Sequence, residues 1–228
     1  MPVPVPVPVP ETASAGDADV PLLPPLAAQA ERLIELGVPR LAGISAAELR
    51  TFAGGAAPGD GSVLLAVHPD RTPASALAPL LRHGGKPGFV VADMTDVDHF
   101  EPHHAELPDT PVYLVSGLDR GDRMAGWSPQ EALASLGKEG RTPLVLTEGI
   151  HWLLQRPEVL ERNHCFMTIG SRLLKANGAL DARTPAIWIS NGTGRDGRER
   201  RDAPKVGWCW WNNRHTWLGF GSATGRRA

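Results

Sequence analysis

Positive charge is missing from the first 31 residues of this 228-residue chain, and proline stands at every second position from Pro2 to Pro10. A secretory signal needs a basic start and an unbroken apolar helix, so both halves of one are absent. No apolar run approaches 18 residues, which argues against a helical membrane span. Cysteine occurs only as Cys165 and Cys209, too few for the disulfide framework of a small secreted domain. These absences point to a soluble, cytoplasmic protein. What is present fits one folded domain: 42% of the residues are apolar, and 23 Lys+Arg face 25 Asp+Glu, a balance far from that of a disordered polyelectrolyte.

Residues 1–22 alternate Pro with Val and continue through Glu11, Thr12, Ser14, Gly16 and Asp17, a composition that favours solvated polyproline II and cannot build a core. The segment reads as a tail, either a solubilising extension or a ligand for an aromatic groove, although it lacks the flanking Arg or Lys of such ligands. Residues 23–228 read as a single α+β domain, with N-terminal helices and a mixed sheet carrying C-terminal antiparallel Trp-rich hairpins. Apolar spacing predicts a helix from Leu26 to Leu36, and Ser45 with Glu48 forms a capping-box pattern for a second one ending at Gly54-Gly55. Val63–Val67, an Ala/Leu helix after Thr72-Pro73, and Phe89–Val91 suggest a strand, helix, strand unit. Pro111–Val115 reads as a strand, and Ser128-Pro129-Gln130-Glu131 as a helix start, with Gly137 at its end. Leu144–Leu146 reads as a short strand, with Thr147 capping a helix that Pro157 interrupts. Beyond it Cys165–Ile169, Pro185–Ser190, Val206–Trp211 and Thr216–Phe220 are strand-like.

Charge is segregated along the chain. Up to Glu161 there are 11 basic and 21 acidic residues; from Arg162 onward there are 12 and 4. The basic half either docks on the acidic half or leaves an Arg-rich face open to an anionic partner. Nucleic acid is a poor candidate, because the acidic half would repel the same phosphate backbone. Gly192-Thr193-Gly194-Arg195-Asp196-Gly197 matches G-x-G-x-x-G, yet Arg198–Pro204 after it offers no apolar helix stripe, so a dinucleotide fold is rejected. A mobile hairpin loop is the plain reading. An anion clamp made of loop N–H groups with Arg195, Arg198, Arg200, Arg201 and Lys205 is the functional one.

Trp188, Trp208, Trp210, Trp211 and Trp217 fall within thirty residues. Alternation puts Trp208 and Trp210 on one strand face, with Asn212-Asn213-Arg214-His215 folding Trp217 back beside them. With both faces covered this is core; with one open it is a stacking platform, its rim supplied by Asn212, Asn213 and His215. Neighbouring His164 and Cys165 suggest a thiolate nucleophile, but adjacent strand residues point to opposite faces, and the apolar company of Met167 and Ile169 raises a thiol pKa. Asp93, Asp96, Asp98, His99, Glu101, His103, His104 and Glu106 would suit a metal by composition, though no ligand spacing is matched, so none is assigned. Glu148 in the first turn of its helix is explained by the helix dipole.

The segments Trp127-Ser128-Pro129, Gly140-Arg141-Thr142-Pro143-Leu144, Cys165-Phe166-Met167, Pro185–Ser190, Gly207-Trp208-Cys209-Trp210 and His215–Gly219 together resemble an actinobacterial protein family of unknown function, over roughly residues 22–224. The resemblance implies no activity and no catalytic residues, and the Arg195–Asp202 stretch is longer than the connection in that family. The leading functional expectation is a non-enzymatic accessory protein that holds a small aromatic or anionic ligand, or a protein partner, against Trp208, Trp210, Asn212, Asn213, His215, Trp217, Arg172 and Arg195, with no cofactor. The alternative is a small-molecule enzyme in which His215 or His164 is the acid/base, Cys165 or Glu148 its partner, and Arg172 or Arg214 the anion holder.

Overall fold

Three helices, α1 (Leu26–Glu35), α2 (Val38–Ala42) and α3 (Ala46–Gly55), begin the computed structural model, which describes residues 21–56 and 63–228. The tail expected over residues 1–22 lies outside the described residues except for Pro21 and Leu22. Gly37 takes φ 75° to break the chain between α1 and α2, a short helix the sequence reading missed. The Ser45–Glu48 capping box forms as its spacing predicts, with Ser45 Oγ accepting from Glu48 N and Glu48 accepting from Ser45 N.

The strands then divide between two main sheets. After β1 (Val63–Val67) come α4 (Ala74–Leu77), β2 (Arg82–His83), β3 (Lys86–Pro87), β4 (Phe89–Val90), β5 (Glu101–Pro102) and β6 (Val112–Ser116). Helix α5 (Pro129–Lys138), β7 (Thr142–Pro143) and α6 (Leu146–Gln155) follow. The remainder is β8 (Cys165–Met167), β9 (Ser171–Arg172), β10 (Arg183–Ile189), β11 (Pro204–Trp210), β12 (Leu218–Phe220), β13 (Ser222–Ala223) and β14 (Gly225–Arg227). One sheet has the order β1-β6-β14, all antiparallel, with Val63 opposite Ser116 and Arg226 opposite Val115. The other is mixed, in the order β12-β8-β10-β11-β4, and β10 with β11 forms its long antiparallel hairpin.

The α+β class with N-terminal helices and a mixed sheet is what the sequence predicts. Two local expectations are corrected. Val63–Val67 and Phe89–Val90 do not form a strand, helix, strand unit, because β1 pairs with β6 while β4 adds to β11 in the other sheet. The helix after residue 144 starts at Leu146, with Val145 rather than Thr147 at its N-cap, and the short strand precedes it as Thr142–Pro143.

Helix α6 is the centre of the packing, and all ten of its residues are buried. One side faces the mixed sheet through Gly149, where an added Cβ would sit 2.7 Å from Thr168 Cγ2 and 3.1 Å from Phe166 Cε2. Only glycine permits that approach. Its other side faces β1, whose outer edge would otherwise leave backbone groups unpaired in the core. Side chains close that edge. Gln29 donates to Val63 O (2.8 Å) and accepts from Leu65 N (2.8 Å), and His151 Nε2 accepts from Val67 N (3.3 Å). His151 in turn meets Thr147 O at 2.8 Å through Nδ1, which fixes the proton there.

A fully buried carboxylate completes the arrangement. Glu148, at 0% exposure, takes a two-pronged bond from Arg226, Nε to Oε1 at 2.6 Å and Nη2 to Oε2 at 2.7 Å. Its oxygens also accept from Tyr113 Oη (3.0 Å) and Val145 N (2.9 Å). Burial and the neighbouring Glu148 charge push the Tyr113 phenol well above its usual pKa, so Tyr113 donates throughout the physiological range. Burial works against the Arg226 charge, but its bonds to Glu148 hold its pKa above the ordinary value. Helix α6, β6 and the C-terminal strand are thereby joined at one point.

Glu148→Leu or Arg226→Met alone removes one partner of the buried pair and is expected to cost about 3–5 kcal/mol in urea unfolding, whereas the Glu148→Leu/Arg226→Met pair recovers most of it. A loss in the double variant equal to the sum of the two single losses would show that the pair is not coupled. Burial holds His151 neutral, with its pKa lowered to about 4. The unfolded chain therefore binds that proton first as pH falls below 6.5, and stability present above that value is lost down to about 4. Between pH 7 and 5 the loss from such a group is about 2 kcal/mol, and His151→Gln is expected to flatten that part of the profile. An unchanged slope in the variant would contradict the assignment.

Candidate functional site

A cleft of about 690 Å³ opens where the irregular segment His103–Pro108 faces the C-terminal strand. Its size suits a metabolite-sized ligand. Backbone bonds seat the segment, since His103 N and His104 N both donate to Gly170 O, at 2.9 and 3.1 Å. Thr142, Thr224, Gly225 and Arg226 form the opposite side. The β7 strand brings Thr142 there and β14 brings Arg226, so the buried Glu148–Arg226 pair underlies the cleft floor.

Donor accounting shows what that floor offers. Of the five N–H groups of Arg226, two go to Glu148, one to Pro143 O (2.9 Å) and one to Thr142 Oγ1 (2.5 Å), leaving one Nη1–H. Thr142 accepts from arginine, so its own hydroxyl proton is available. Thr224 Oγ1 donates to Ser116 O at 3.1 Å. The floor thus presents donors, while Glu106 is the carboxylate of the facing segment.

Behind His104 lies part of the tryptophan-rich half. The His104 and Trp211 rings pack with centroids 5.8 Å apart, and the Arg172 guanidinium carbon sits 3.9 Å from the Trp211 centroid. Burial, then the charges of His103 and Arg172, lower the His104 pKa to about 4 and keep the ring neutral. Arg172 stands in β9, which pairs with β5 just before the His103–Pro108 segment. Of the residues expected from sequence to hold a ligand, Arg172 is the one that stands beside this cleft wall, while His103, His104 and Glu106 of the stretch considered for a metal line the cleft itself.

The others are distributed over both sheet faces. Trp208 and Trp210 pack edge to face with centroids 4.6 Å apart. Trp217 does not join them. It lies 6.3 Å from Trp188, and the pairing of Pro185 with Trp208 and Trp188 with Lys205 places Trp188 on the opposite face. The reason is topological: β12 pairs parallel with β8 at the far edge of the sheet instead of folding back on β11. His215 stacks with Trp217 at 5.2 Å, and burial lowers its pKa. Asn212 and Asn213 are exposed at the turn, where Arg214 bonds Glu131. Arg195 is exposed and pairs with Asp93 at 3.3 Å.

The arginine-rich loop between β10 and β11 is organised around its own carboxylate. Asp196, buried, accepts from Ser190 Oγ and Lys205 Nζ, both at 2.7 Å. Arg200 lies over Phe89. Acidic residues from the Asp93–Glu106 stretch are likewise engaged: Asp96 holds Arg183 (2.6 Å), and Asp98 accepts from Ser75 N (2.8 Å) at the start of α4. Among the described residues no three His, Cys, Asp or Glu side chains converge on a metal position. Part of the contrast between halves is spent inside the molecule, in Arg183–Asp96, Arg195–Asp93, Arg214–Glu131 and Arg226–Glu148.

Cys165 is buried, its Sγ directed to Glu161 O at 3.3 Å, and burial pushes its thiol up to about 11. His164 turns instead to Arg120 and Asp122, at 3.5 and 3.7 Å. Among the described residues no hydrogen bond joins any two of Glu148, His164, Cys165 and His215. Sequence reasoning passed over Arg226, Thr142 and Thr224 altogether. Its one available signal was Glu148 itself, a carboxylate set among Leu146, Ile150, Trp152 and Leu153, which demands a buried cation.

Comparison with curated proteins and with solved structures finds no match. The family model described as "Family of unknown function (DUF5701)" matches residues 32–228, and the chain belongs to that family.

Proposed function

We propose that this protein is a non-enzymatic binding protein of the cytoplasm that takes a small, oxygen-rich molecule into the cleft between His103–Pro108 and the C-terminal strand. The observation that carries the reading is the floor of that cleft, where a buried, fully oriented Arg226 leaves one N–H and the Thr142 hydroxyl unspent. Donors held this firmly cost little to order when a ligand's oxygens arrive. The tryptophan-rich half adjoins this site through Trp211 and Arg172, which pack behind the lining residue His104. Asn212, Asn213, Arg195 and the Trp208–Trp210 pair lie on the same half and are open to a second contact, with a partner or with a larger ligand.

Catalysis has less support. An acid/base pair needs two titratable groups within hydrogen-bond reach, and of the groups named for that role His164 is paired elsewhere, while burial raises the Cys165 thiol and lowers the His215 imidazole. Nucleic acid is also a poor fit, because half of the twelve basic side chains beyond residue 161 are matched by the chain's own carboxylates and the acidic half would repel the same phosphate backbone.

A thermal-shift screen of metabolites tests the reading, since a ligand at 100 times its Kd stabilises the native state by about 2.7 kcal/mol. At least one oxygen-rich metabolite is expected to raise Tm by several degrees in the wild-type chain and not in Ala105→Trp, which fills the cleft from the facing segment. Shifts of the same size in both proteins, or none across the panel, would contradict it.

A further inference from the structure

Three arginines have side chains about nineteen-twentieths buried: Arg120, Arg172 and Arg226. Two of them have a carboxylate in the same pocket, Asp122 for Arg120 at 2.6 Å and Glu148 for Arg226 at 2.6 Å. Arg172 has none among the described residues. One of its N–H groups reaches Asp181 O at 2.7 Å, and its buried Nε has no partner. The Asp181 carboxylate, whose charge is felt at Arg172, is committed to Arg183 at 3.1 Å. A cation removed from water without a counter-ion is expensive, and folded proteins as a rule supply one or bind one.

A second orphan stands beside it. His104 Nε2 is buried without a partner, on a ring that packs, as Arg172 does, against Trp211. His104 also lines the cleft. The neutral imidazole can carry its proton on Nε2 and donate it, and the Trp211 ring holds the guanidinium plane in a fixed orientation. Both unspent groups are donors toward an oxygen anion, and neither faces a protein acceptor.

We propose that Arg172 and Trp211, packed behind His104, form with it an anion subsite that adjoins the cleft at His104, the one of the three that lines it, and takes the carboxylate or phosphoryl oxygens of the bound molecule. The proposal rests on the cleft reading given above and names the charge of its ligand. The anion supplies the counter-charge that Arg172 lacks, and Arg226 with Thr142 receives the neutral oxygens of the same molecule.

The test is a titration of the full chain with succinate and with inorganic phosphate, at ionic strength held constant with sodium chloride, read by thermal shift and calorimetry. At least one of the two anions is expected to raise Tm of the wild type, phosphate alone marking a phosphoryl ligand and succinate alone a carboxylate. Arg172→Met is expected to lose that response while remaining no less stable than wild type in anion-free buffer, because it sheds an unpaired buried charge. A purely structural arginine would instead lower Tm in every buffer. Arg172→Lys, which keeps the charge and loses the planar fork, is expected to bind at least tenfold more weakly, and it decides the matter if the methionine variant does not fold. Equal responses in wild type and the Arg172 variants, or a response matched by chloride, would overturn the subsite and leave the cleft reading standing. A response lost in Arg172→Met but kept in Ala105→Trp would support the subsite and count against the cleft reading.

Discussion

A carboxylate at zero exposure in the most buried helix of the protein sets the terms for everything around it. Glu148 has four oxygen lone-pair positions, and Arg226, Tyr113 and Val145 occupy all four. Left unpaired, that charge would cost more than a domain of this size can spare. The C-terminal strand is therefore held by more than its ladder to β6. Its arginine must reach through to α6, and in doing so it bonds Thr142 and Pro143 and fixes the floor of the cleft. Packing, chain end and candidate site are consequences of one ion pair.

The polar residues of the core follow a common logic. Gln29 and His151 do for the free edge of β1 what a further strand would do, and each is oriented by a second bond, Gln29 to Pro24 O and His151 to Thr147 O. A fully buried histidine beside a carboxylate helix position invites a catalytic reading. Here its two nitrogens are both used, one as donor and one as acceptor, and the ring is neutral because it is dry. Arg172 differs from this pattern because its buried Nε has no partner, although another of its N–H groups reaches Asp181 O.

Local chemistry was legible in the sequence, and long-range pairing was not. The capping boxes at Ser45 and Ser128, and the strands around Val63 and Val206, carry their signals within a few residues, and each stands where spacing put it. Strand partners carry no such signal. Phe89–Val90 and Val63–Val67 are near in sequence, yet β1 pairs with β6 and β4 with β11, partners far away along the chain. Trp217 is likewise near Trp208 in sequence, and the two-strand parallel pairing of β12 with β8 carries it to the other face. Arg172 was named from its type and neighbourhood. Arg226, 54 residues further on in the third residue from the end, had no local signal to mark it. Charge segregation was legible as a sum, and only the structure says where each charge is spent.

If the Glu148–Arg226 pair couples the chain end to the central helix, the two must open together. Native-state hydrogen exchange measures this directly, by comparing the amides of Val112–Ser116 and Gly225–Arg227 with those of Leu146–Gln155. The account predicts that the hydrogen-bonded amides of all three segments exchange with the same opening free energy, that of global unfolding. Exchange of the C-terminal strand at loop-like rates, with α6 still protected, would contradict it.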